Sequence, residues 1–137
     1  MNLQDTNDDA TWAAFVQELQ VHGAYGPVFS GILVFYSHGA VAFEEGWFRD
    51  HLTVEAKRGL FQALGDQHCQ RIDLDNQAFY VVENEFGNVC AVGRHRKIGL
   101  ISQRSLIGTV VVLFQWPYML QTAMPTMAKF GHKMRTS

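Results

Sequence analysis

The side chains able to do covalent or acid–base chemistry are present, but their spacing matches no catalytic pattern. Six histidines stand at positions 22, 38, 51, 68, 95 and 132, and no two are four residues apart. That excludes the helical arrangement in which paired imidazoles grip one metal ion. His68 and Cys69 are adjacent, and on an extended chain neighbours point to opposite sides. Cys69 and Cys90 form no CxxC or Cys/His ligand spacing, so the expectation is two thiols in a reducing compartment, packed as small hydrophobes. Asp73 and Asp75 flank Leu74 as they would on a solvated strand face, not as an acid–base pair. No GxGxxG, no GxxxxGK followed by Ser or Thr, no GxSxG and no HExxH occurs. The pattern predicts a binding module without catalytic residues, metal or cofactor.

The signal that points to a partner is charge. Residues 1–85 hold all 13 acidic side chains against four basic ones, Arg49, Lys57, Arg58 and Arg71. Residues 86–137 hold Arg94, Arg96, Lys97, Arg104, Lys129, Lys133 and Arg135 and no acid. A net charge of −2 therefore hides halves of −9 (4 − 13) and +7. The division predicts one basic region if those side chains share a face. Its densest part, Arg94-His95-Arg96-Lys97, falls where a strand should end, so these side chains should splay into water as a site for an acidic protein, a phosphoinositide headgroup or nucleic acid. Nucleic acid is the least favoured of these, because the interleaved stacking aromatics of RNA readers are missing. A second signal is Trp12 with Phe15 near the N-terminus, which reads as core or as half of an aromatic groove for polyproline ligands.

These residues need a scaffold. The 137 residues, 47% hydrophobic and 18% charged, fit one folded domain. The polar, acidic start of the chain does not resemble a secretory signal, and Leu106 to Phe114 is too short to span a membrane. Residues 1–8 read as a flexible tail and 9–137 as the domain. Asp9 to Thr11 can cap a first helix whose apolar face is Trp12, Phe15, Val16 and Leu19, ended by Gly23 and Gly26-Pro27. Ser30–Tyr36 and Ala40–Glu44 read as a hairpin. Residues 45–52 show no clear pattern. Thr53 should cap a second helix to Leu64, with Lys57, Leu60, Phe61 and Leu64 on one side and Gly65 as its stop. Five strands follow, with Asp75-Asn76 as a turn because both residues tolerate positive φ. Trp116-Pro117 ends the sheet. A last helix from about Thr122 would place Pro125 in its first turn. The sum is an α+β fold with an antiparallel sheet and helices on its faces.

In order, spacing and length the chain resembles the profilin family from about Thr11 to Met134. Trp12, Phe15 and Val16 resemble its N-terminal tryptophan helix. Ser30 to Val34 with His38 to Val41 resemble its first hairpin, and Ile72 to Val82 its "L.L.G.KY.VI" hairpin. Gly93 to Ser102 with Gly108 to Phe114 resemble its "G.K..GG..I.KT...L.V..Y" block. Trp116-Pro117 and Lys129 to Met134 resemble its "EP" turn and "RLGDYL" terminus. The resemblance implies six or seven strands between a terminal helix pair on one face and smaller helices on the other. It implies a non-catalytic, cytoplasmic, cytoskeleton-associated protein that binds monomeric actin, proline-rich segments and phosphoinositides. Family actin contacts come from the later strands and last helix, which here implicates Arg94, Arg96, Lys97, Arg104, Lys129 and Lys133. The polyproline groove would comprise Trp12, Phe15, Phe43 and Phe130. It has lost two aromatics, to Ala42 and Lys133, so that binding should be weakened.

Two rivals use the same residues differently. The chain could be a profilin-like or roadblock-like subunit of a larger assembly without actin binding, its Met-rich last helix packed on a partner. It could instead be a PAS-like or GAF-like small-molecule sensor, which would require an internal cavity.

Overall fold

The computed structural model describes residues 8–85 and 87–136, with side chains from Trp12 onward. Most of the expected tail, residues 1–7, and the side chains of Asp9 to Thr11 expected to cap the first helix lie outside the described residues. Helix α1 (Asp8–Phe15) runs into a 3-10 turn over Val16–Leu19 instead of continuing as one helix. The Gly23 and Gly26-Pro27 segment is more than a stop signal, since His22–Gly23 and Gly26–Pro27 pair as a minute antiparallel ribbon. Strands β1 (Gly31–Tyr36) and β2 (Val41–Gly46) form the expected hairpin.

The unpatterned segment after it contains a short helix, α2 (Trp47–His51). Gly46 makes this turn possible. Its φ is 67°, and a Cβ there would lie 2.3 Å from the Ser30 carbonyl oxygen. Helix α3 (Val54–Leu64) follows, and Thr53 Oγ1 accepts the Ala56 N–H at 3.1 Å as the N-cap. It buries Lys57, Leu60 and Leu64 and stops at Gly65.

Five strands come next: β3 (Arg71–Leu74), β4 (Gln77–Glu85), β5 (Asn88–Val92), β6 (Ile98–Ser105) and β7 (Gly108–Gln115). With the first hairpin they make a seven-stranded sheet of order β2-β1-β7-β6-β5-β4-β3, antiparallel throughout. Helix α4 (Leu120–Thr136) starts two residues earlier than the sequence suggests, so Pro125 lies in its second turn. The missing N–H leaves the Gln121 carbonyl without its helical donor, and both residues are exposed, so water can serve instead.

Side-chain alternation along the strands builds two cores. Ile32 and Val34 of β1 and Val110, Val112 and Phe114 of β7 pack with Trp12, Leu19, Met127 and Phe130 of the terminal helices. Leu33, Phe35, Val111 and Leu113 pack on the opposite face with Phe48, Leu60 and Leu64 of α2 and α3. The central strands are buried on both sides, which is why β7 reads as an unbroken apolar run. At about 1.5–3 kcal/mol per large buried side chain, these two layers dominate stability.

Candidate functional site

The basic turn Arg94–Lys97 joins β5 to β6 through a single 3-10 turn. Its base is closed by Gly93 N–H donating to the Ile98 carbonyl at 2.7 Å, and Arg96 N–H donates back to the Gly93 carbonyl at 3.0 Å. Four residues in so tight a loop must point outward, and Arg94, His95, Arg96 and Lys97 are all exposed. Among the described residues, Arg94, Arg96 and Lys97 have no acidic partner within ion-pair distance. The backbone is unusual, because His95 and Arg96 both have positive φ, 59° and 58°.

The β7–α4 connection lies against this turn. Trp116 N–H donates to the Lys97 carbonyl at 2.8 Å, continuing the β6–β7 ladder past the Ile98–Gln115 pair. Buried Tyr118 fixes the connection from below. Its hydroxyl donates to the Gly26 carbonyl at 2.6 Å and accepts the Tyr25 N–H at 2.9 Å. Trp116 and Met119 are left on the surface.

The remaining basic candidates are distributed. Arg104 sits at the far end of β6, seven residues from Lys97 and so roughly 24 Å away at ~3.4 Å per strand residue. Its side chain lies against Gly87 and lines a cleft with Leu64 and Gly65 at the end of α3. It also lines a cleft with Met134 and Arg135 of α4, at the end of the sheet away from the basic turn. Lys129 is exposed on α4, and Lys133 pairs with Glu18 across the terminal helices. Arg135, not singled out from sequence, donates from Nη1 to Gln103 Oε1 at 2.7 Å. Arg94, Arg96 and Lys97 are thus together, whereas Arg104, Lys129 and Lys133 occupy separate positions.

The aromatic candidates do meet. Phe15 contacts Trp12 edge-on, with ring centroids 5.6 Å apart, and Phe130 at 5.1 Å. Phe43 packs against the same cluster, beside buried Ala42. Trp12 and Phe130 are only 6% and 3% exposed, however, so they face inward as core, and Phe15 and Phe43 are the half-buried members.

Elsewhere, a cleft of about 660 Å³ between α3 and the β1–β2 hairpin holds a Lys57–Glu44 ion pair beside Phe61 and Arg58. Cys90 is buried in the terminal-helix core, and burial is the main cause pushing its thiol pKa up to about 11. Glu83 adds to that rise and Arg96 opposes it. Such a thiol carries almost no thiolate near neutrality and acts as a hydrophobe. No group of three or more potential metal-ligating side chains occurs among the described residues. No described helix is long and apolar enough to cross a membrane.

No protein-family model matches the chain. No curated protein matches its sequence either. Solved structures do match in three dimensions. Loki profilin 1, in a complex with rabbit actin, superposes with a TM-score of 0.72 at 10% identity, covering 93% of this chain and 96% of that one. Loki profilin 2, also solved with rabbit actin, gives 0.67 at 7% identity over 97% and 98%. Acanthamoeba castellanii profilin IA gives 0.61 at 13% identity over 78% and 85%. The chain therefore has the profilin fold, as the order of its motifs implied.

Proposed function

We propose that this chain is a divergent, non-catalytic profilin-like module that binds an acidic protein, monomeric actin foremost, and so regulates actin dynamics in the cytoplasm. The observation that carries this reading is the exposed, unpaired basic turn Arg94–Lys97 on a fold whose solved neighbours include two complexes with actin. A cluster of unneutralised cations steers an acidic partner from a distance and rejects basic ones. Lys129 adds an exposed cation on α4, apart from the turn. Lys133 contributes less because Glu18 neutralises it, and Arg104 stands at the far end of β6. Binding of proline-rich segments is weakened, because Trp12 and Phe130 are committed to the core and only Phe15 and Phe43 keep partly open rings. Phosphoinositide headgroups, being anionic, would compete for the basic turn.

The test is a titration against monomeric actin at low and physiological salt, beside the variant Arg94→Glu/Arg96→Glu/Lys97→Glu. Exposed charges are screened beyond ~8 Å at physiological ionic strength, so binding should weaken with salt. The variant should lose at least tenfold in affinity while melting like the parent. Wild-type protein that binds at neither salt would reject the actin reading and favour a scaffold role in a larger assembly.

A further inference from the structure

We infer that Trp116, with exposed Met119 on the same connection, is the apolar anchor of the surface whose cationic rim is Arg94, Arg96 and Lys97. This deepens the acidic-partner reading and rests on it. The chain has three tryptophans. Trp12 and Trp47 are 6% and 7% exposed, while Trp116 is 62% exposed and joins neither core cluster. An indole left mostly in water contributes little to folding, so its further burial is available to a partner.

Its position is not accidental to the charge. The Trp116 N–H to Lys97 carbonyl bond holds the tryptophan's backbone directly beside the basic turn. The backbone on its other side is held as well. Tyr118 N–H donates to the Gln115 carbonyl at 3.0 Å, and the Tyr118 hydroxyl ties the same connection to the ribbon. An anchor already fixed in the free protein loses little entropy on docking. A tryptophan beside arginines is a composition that concentrates binding energy at protein interfaces.

Charge identifies the partner. No acidic residue follows Glu85, so a partner can surround the indole with carboxylates at no repulsive cost from this half of the chain. The fitting partner is an acidic protein surface with an apolar pocket among its carboxylates. A membrane is a poorer match, since two apolar side chains do not make the continuous face an interfacial element buries.

The experiment measures association and dissociation rates with monomeric actin at two salt concentrations for wild type, Trp116→Ala, Trp116→Phe and the triple charge reversal. Trp116→Ala should weaken binding about tenfold or more, chiefly through faster dissociation, with the salt dependence kept. Trp116→Phe should recover part of the loss. The charge reversal should instead slow association and remove or invert the weakening by salt. All variants should melt as the wild type does. Wild-type binding that Trp116→Ala leaves unchanged overturns the anchor alone. Wild-type protein that binds no actin overturns the parent reading and the anchor with it. A tryptophan fluorescence shift on phosphatidylcholine vesicles carrying phosphatidylserine, lost in Trp116→Phe and accompanied by no actin effect of Trp116→Ala, overturns the anchor in favour of a membrane.

Discussion

Two tight hairpin turns of this sheet adopt left-handed backbone at two consecutive positions, and they fill those positions with opposite kinds of residue. In the β3–β4 turn the residues are Asp75 and Asn76, with φ of 49° and 62°. In the β5–β6 turn they are His95 and Arg96, with φ of 59° and 58°. Left-handed backbone brings Cβ against the carbonyl oxygen and costs roughly 1–2 kcal/mol for an ordinary residue, less for Asp and Asn. The first turn is therefore built to fold. The second accepts backbone strain and displays cations, as expected where a surface is kept for a partner. The comparison separates what stabilises the domain from what it offers for binding.

Exchanging the residues tests it most severely. Asp75→His with Asn76→Arg should lower stability by about 1–2 kcal/mol, chiefly from the arginine, because histidine tolerates left-handed backbone better. Asp75 also contacts His51 at 3.1 Å, but both side chains are substantially exposed, so that contact adds less than about 1 kcal/mol. Urea unfolding measures the change, and an unmoved midpoint would remove the claimed difference between the turns. The complementary exchange should stabilise. His95→Asn with Arg96→Gly should gain about 1 kcal/mol by relieving strain, net of the entropy glycine costs. The same variant, short of one full cation, should bind actin a few-fold more weakly. Gained stability with unchanged affinity would mean that the strain serves no partner.

The sequence shows one of these turns and hides the other. Asp75-Asn76 is legible because its residues tolerate the geometry, and Thr53 is legible as a cap because its hydroxyl accepts the Ala56 N–H. The strain at His95-Arg96 leaves no compositional trace, because residues chosen against local preference look like an ordinary polar loop. Helix α2 was hidden for a related reason. Its five residues span little more than one turn, too short to show a period. The basic half was visible as arithmetic, but its division between faces was not. One residue of strand alternation sends Gln103 toward α4 and Arg104 toward α3. The exposure of Trp116 was equally hidden, since a tryptophan before proline at a strand end serves as core or anchor according to what Tyr118 does beneath it.

The smallest effect gives the sharpest control. Asn76→Gly and Arg96→Gly each place glycine, free of Cβ, at a left-handed position. Both pay the same backbone entropy in the unfolded chain, so that term cancels when the two are compared. Asn76 already tolerates its φ, and its replacement should change stability by no more than about 0.5 kcal/mol. Arg96 does not, and its replacement should be the more stabilising by about 0.5–1 kcal/mol. Paired denaturant titrations resolve that difference. Equal effects would show that the two turns carry the same strain, and the basic turn would then owe its sequence to charge alone.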